Sequence, residues 1–76
     1  MRLILYRRAG CDLCELAESA LADAGVADFT RIDIGWDGAL ADRYGWTIPV
    51  LHRDDDGREL AWPFDAFAVR RFVAPS

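Results

Sequence analysis

The stretch "RLILY" (residues 2–6) is nearly continuous in apolar side chains. It lacks the alternation of a strand with one wet face and suits one covered on both faces, which places it inside a sheet rather than at its edge. The chain has 76 residues, so it can bury only about 60–65% of its unfolded surface around one modest core. A central strand in so short a chain implies a single α/β domain spanning residues 1–76.

The remaining pattern supplies the partners of that strand. After Gly10 the apolar and small residues Leu13, Leu16, Ala17, Ala20, Leu21 and Ala24 recur at spacings of three and four, which predicts one apolar stripe on a helix, with Gly25 closing it. Residues 28–34, "DFTRIDI", alternate Thr30, Ile32 and Ile34 against Phe29, Arg31 and Asp33, as in a half-exposed edge strand. Asp37 and Gly38 open a short helix that runs through Leu40 and Tyr44 and stops at Gly45. "TIPVLHR" (47–53), the turn residues "DDDG" (54–57) and "RELAW" (58–62) read as a hairpin. From Phe64 the set Phe64, Phe67, Ala68 and Phe72 is again helical, with Asp65 in the first turn, Arg70 and Arg71 in the last, and Pro75 beyond. The predicted order is β-α-β-α-β-β-α. Apolar strands belong in the middle and a right-handed crossover makes the first two strands parallel, giving a four-stranded mixed sheet in the order 2-1-3-4.

Charge excludes some functions. The net charge is −4 and there is no lysine, so a phosphate-tracking surface is not expected and nucleic acid is a poor partner. No stretch approaches the roughly 18 apolar residues of a membrane span, and a cytoplasmic protein is expected. In that compartment two close cysteines point to catalysis or metal rather than to a structural bridge.

Cys11 and Cys14, three positions apart, fall where the first strand gives way to the first helix. Unpaired N–H groups and the positive end of the helix dipole stabilise a thiolate there, so Cys11 reads as a nucleophile and Cys14, one turn on, as the thiol that resolves a mixed disulfide. Arg8 favours the Cys11 thiolate while Asp12 and Glu15 oppose it, which implies a moderate activation and a couple near about −200 to −270 mV. Two other readings remain: a pair of small buried residues, or half of a zinc site. Zinc wants about four ligands, and His52 is the only histidine, so no metal is assigned and His52 reads as an ordinary strand residue. Trp36, Trp46 and Trp62 either rim a groove near the active loop or cover the core, and Tyr6 reads as packing.

"LYRRAGCDLC" (5–14) resembles the strand–loop–helix of glutaredoxins, with Arg8 as the basic residue three before the first cysteine. "YGWTIPVL" (44–51) resembles the cis-proline segment of glutaredoxins and thioredoxins, and the whole chain, including "DGRELAWPFD" (56–65), is similar to short bacterial glutaredoxin-like domains. The resemblance implies a thioredoxin-like, glutaredoxin-type fold. It further implies a cis Pro49 packed against Cys11 and an Ile48 backbone free to pair with glutathione or a peptide. Asp65 would match the acidic residue that contacts glutathione. No bound cofactor would be needed, since glutathione would be a co-substrate; the partners would be glutathione or protein disulfide substrates, and the domain itself is expected to be a monomer. The chain departs from the usual C-P-Y-C, having Asp12 and Leu13 in the middle, and from the usual Gly-Gly turn, having Trp62-Pro63-Phe64-Asp65. A thioredoxin-fold adaptor or redox sensor without turnover is therefore the rival function, and a cysteine-ligated iron–sulfur cluster shared by two chains a third.

Overall fold

The computed structural model describes residues 2–74 and, of Trp36, only the backbone. Strand β1 (Leu3–Arg7) leads to helix α1 (Asp12–Asp23), strand β2 (Thr30–Asp33), a 3-10 turn (Ile34–Trp36) and helix α2 (Gly38–Tyr44). Strands β3 (Val50–Arg53) and β4 (Glu59–Ala61) and helix α3 (Ala66–Val73) complete the chain. The sheet order is β2-β1-β3-β4, with β1 parallel to β2 and antiparallel to β3, and β3 antiparallel to β4. This is the predicted architecture; the strands are shorter than the sequence pattern because Thr47, Ile48 and Pro49 form a loop ahead of β3. Pro75 lies outside the described residues.

The pleat sorts side chains onto two faces. Leu3 and Leu5 of β1, with Leu51 of β3, point to the face covered by α1 and α3 and form the main core with Ala17, Ala20, Leu21, Phe64 and Val69. Tyr6 points to the other face, where Ile34, Tyr44 and Val50 make a second, smaller core under α2. The apolar character of β1 thus has a cause on both sides.

The stripe expected on α1 is partly wrong. Cys14, Ala17, Ala20 and Leu21 are buried, whereas Leu13 and Leu16 are exposed. Leu13 and Leu16 each precede a buried residue by one position, about 100° around the helix, so they sit to one side of the line that meets the sheet. The helix is seated by its small residues, which let its backbone come close. It ends as predicted: Gly25, at φ +79°, donates to the Ala22 carbonyl and Val26 to the Leu21 carbonyl, the paired bonds of a Schellman cap.

Phe67 of α3 is likewise exposed rather than packed. The helix is instead held from the hairpin side by Arg53, a buried guanidinium in β3. Its Nε and Nη2 meet the two carboxylate oxygens of Asp55 at 3.1 and 2.9 Å, and its Nη1 donates to the Phe72 carbonyl at 2.6 Å. One side chain therefore both closes the turn and satisfies a carbonyl at the α3 C-terminus that the helix leaves unpaired. Arg70 similarly donates to the Asp23 carbonyl at the end of α1.

Three substitutions test this division of labour. Leu5→Ala, at a position with no solvent exposure, should cost about 2–5 kcal/mol in urea unfolding followed by tryptophan fluorescence. Arg53→Met should lower the thermal midpoint by several degrees, and Asp55→Asn, on the open side of the same pair, by less.

Candidate active site

The β1–β3 register places Tyr6 opposite Val50. Beyond it, the loop 8–11 faces the segment 46–49, so the two motifs singled out in the sequence converge at one end of the sheet. The return of β4 adds a third segment there, since the Trp62 N–H donates to the Pro49 carbonyl at 3.1 Å. Gly10, at φ +73°, makes the bend that turns the chain from strand to helix, where a side chain would be strained. The carboxylate of Asp33 fastens this bend: it accepts from the Ala9 N–H at 3.0 Å and from the Gly35 N–H at 2.8 Å. Asp33 was read only as an edge-strand residue, although an Asp two positions before a Gly is a turn signal that could have marked it.

Cys11 is the N-cap of α1. Its Sγ accepts the Cys14 backbone N–H at 3.2 Å, taking the place of the oxygen that usually satisfies an unpaired amide at a helix start. Cys11 is partly exposed, Cys14 is buried, and both are free thiols. Burial pushes the Cys14 thiol up to about 11, assisted by its bond to Cys11, while a backbone hydrogen bond from Arg8 and the charge of Arg7 pull the other way.

Arg8 meets this pair through its backbone. Its main chain bonds to Cys14, and its guanidinium reaches toward the α2–β3 loop, where a Cβ built on Gly45 would lie 3.9 Å from Nη2. Of the two arginines, Arg7 is the one whose charge reaches the buried sulfur; its Nε lies 3.1 Å from Glu18, a carboxylate also bonded by Arg31 at 2.7 Å.

The Ile48–Pro49 peptide is cis, as is Trp62–Pro63. Pro49 is fully buried. The Ile48 N–H is not free: it donates to the Tyr44 carbonyl at 3.0 Å, beside the Thr47 N–H at 2.9 Å. The last turn of α2 thus runs on into the loop and removes the donor that strand-like pairing with a partner would use. Asp65 is the N-cap of α3, with Oδ1 accepting the Ala68 N–H at 2.8 Å. One of its oxygens is therefore committed to the helix.

The polar network behind the loop escaped the sequence reading. Tyr44 stacks on Tyr6 with ring centroids 4.3 Å apart, and its hydroxyl donates to Glu59. Glu59 also meets His52 Nδ1 at 2.9 Å and Arg43 at 3.8 Å. Burial, with the bond to Glu59, pushes the Tyr44 hydroxyl up to about 12. Burial raises Glu59, but its bonds to Tyr44 and His52 and the charge of Arg43 outweigh that and hold it below the usual carboxylate range. The network fixes α2 to the β3–β4 hairpin and so fixes the loop between them; nothing in the local pattern around Glu59 announces it. Trp62 packs edge to face on Phe64 at 5.2 Å and joins the main core, which settles its role as a cover. Trp46 is 98% exposed, and the Trp36 side chain lies outside the described residues.

Among the described residues no group of three or more His, Cys, Asp or Glu side chains converges to hold a metal ion, and no helix is long and apolar enough to cross a membrane.

A parallel β1–β2 pair, an antiparallel β3–β4 hairpin and a C-x-x-C at the start of the first helix define a thioredoxin-fold domain. A family model described as "Glutaredoxin-like domain (DUF836)" matches residues 2–74, and the chain belongs to that family. No curated protein matches. The X-ray structure of target protein XcR50 from X. campestris is 45% identical, covers 96% of this chain and 99% of its own, and superposes with a TM-score of 0.90. The solution structure of XcR50 gives 48%, 99%, 97% and 0.87. Protein Ne2328 from Nitrosomonas europaea is 25% identical over 96% of this chain and 91% of its own, with a TM-score of 0.79.

The raised Cys14 thiol sets a pH dependence. The reduced protein should resist alkylation by iodoacetamide at Cys14 near pH 8 and gain it as the pH approaches 11, read by peptide mass spectrometry. Between the ordinary thiol value and about 11, the unfolded chain gives up this proton and the folded one keeps it, so stability from this group falls as the pH rises through that window.

Proposed function

We propose that this domain is a thiol–disulfide oxidoreductase in which Cys11 attacks and Cys14 resolves. The observation that carries the reading is the N-cap position of Cys11, a partly exposed sulfur receiving the Cys14 N–H at the positive end of α1, with the second thiol one turn behind it. A donor and a helix dipole aimed at one sulfur stabilise negative charge on it.

In the first step the Cys11 thiolate attacks a substrate disulfide; a Cys11–substrate S–S bond forms, and the other half leaves as a thiolate that takes a proton from water. Cys14 then gives up its proton and attacks the Cys11 sulfur, and the remaining half of the substrate leaves as a thiolate. The substrate gains two electrons and the protein holds a Cys11–Cys14 disulfide, which two molecules of glutathione or an external dithiol reduce. No bound cofactor enters this cycle. Deprotonation of Cys14 is the demanding step, and the backbone hydrogen bond from Arg8, with the charge of Arg7, favours it. Burial of Pro49 behind the loop supports a positioning role for the 47–49 segment; with the Ile48 N–H occupied, its carbonyl is the group left to a partner's main chain.

Cys11→Ser should abolish reduction of hydroxyethyl disulfide in an assay coupled to glutathione, glutathione reductase and NADPH. Cys14→Ser should accumulate a mixed disulfide visible as added mass. Wild-type rates in both variants would exclude an enzymatic role and leave a binding or sensing domain.

A further inference from the structure

Resting on the exchange reading above, we infer that the substrates are protein or peptide disulfides whose cysteine is flanked by apolar, non-acidic residues, and that Trp46 and Leu13 select them. Three observations combine.

First, large apolar side chains stand in water on both sides of the Cys11 loop. Trp46, whose neighbour Gly45 lies beside the Arg8 guanidinium of that loop, is 98% exposed, and Leu13, between the two cysteines, is 45% exposed. Leu16, one turn along α1 from Leu13, is 54% exposed and extends the strip. Trp62 shows that this fold can pack a tryptophan when packing is its role; Trp46 touches neither core cluster. Exposed tryptophan beside a reactive group is the kind of anchor that interfaces use.

Second, main-chain recognition is reduced. The Ile48 N–H is spent on Tyr44, so a bound strand has one hydrogen bond fewer from this segment and depends more on side-chain contacts.

Third, three exposed carboxylates stand at this end of the sheet against the one exposed guanidinium of the loop, that of Arg8. Asp12 and Glu15 occupy the first turn of α1 and are exposed, and Asp65 stands at the start of α3 at the same end of the sheet. Glutathione and acidic peptides bring carboxylates to this rim, whereas a neutral or basic apolar segment brings none.

The test uses two synthetic peptide disulfides of equal length, one with Leu and Phe beside the cysteine and one with Glu at both positions, and hydroxyethyl disulfide as a substrate without side chains. The intact protein should show kcat/KM for the apolar peptide about tenfold above that for the acidic one. In Trp46→Ala the ratio of kcat/KM for the apolar peptide to that for hydroxyethyl disulfide should fall about tenfold, whereas Phe67→Ala, an exposed apolar residue on α3, should leave the ratio unchanged. Equal rates on the two peptides, or an unaltered ratio in Trp46→Ala, would overturn the inference while leaving exchange intact. Failure of the intact protein on all three substrates would remove the exchange reading itself, and the inference with it.

Discussion

The pairing of β1 with β3 is the constraint on which the rest depends. These strands run antiparallel with Tyr6 opposite Val50, so the end of one and the beginning of the other lie at the same edge of the sheet. The loop that delivers Cys11 and the loop that carries Pro49 must therefore meet, whatever their own preferences. A slip of one residue would exchange the faces of every side chain on β3. Leu51 would turn toward α2 and His52 into the main core, an arrangement with a buried unpaired imidazole that the folding free energy of a chain this small could not sustain. The hydrophobic pattern of two short strands thus fixes the meeting of the two motifs.

Local chemistry then completes the site, and it does so largely through backbone groups. The amides at the start of α1 have no partners within the helix, and one is given to sulfur. Asp33 consumes two more amides to hold the bend before it. On the opposite loop the Tyr44 carbonyl takes two N–H groups in succession, which makes the segment before Pro49 stiff and poor in donors. Tyr44 and Glu59, joined by a partly buried hydrogen bond, anchor that loop to the hairpin. The two thiols are consequently unlike: one lies at the surface against an amide, the other in a dry interior where its charged form is costly.

Much of this was legible in the residues alone. The covered central strand, the strand order and the helix-start position of Cys11 follow from patterns of period two and period 3.6, and those patterns reflect burial directly. What stayed hidden depends on pairings distant in sequence. Leu13 and Leu16 looked like core because periodicity cannot tell which edge of an apolar stripe meets the sheet when alanines occupy its centre. The Ile48 N–H looked available because its acceptor, four residues earlier, is visible only once α2 is seen to continue past Tyr44. Arg53 and Glu59 were indistinguishable from surface charges, since nothing in "LHRDDDGREL" (51–60) says that one guanidinium is buried or that one carboxylate gathers a tyrosine, a histidine and an arginine. Trp62 and Trp46, alike as letters, separate only when their surroundings are seen.

The Arg53 clamp gives the end of the sheet away from the cysteines a sensitivity to acid. Asp55 is held below the usual carboxylate range, first by its bond to Arg53, so the stabilisation it contributes is present above the ordinary carboxylate value and disappears as the medium becomes more acidic through the depressed one. Protonation there removes one of the charges that hold the buried Arg53 guanidinium beside the Phe72 carbonyl. The cysteine-bearing helix is tied down by other means, the Schellman bonds at its far end and alanines in the main core. Acid therefore reaches the seam between the hairpin and the last turn of α3, at the end of the sheet opposite the sulfurs.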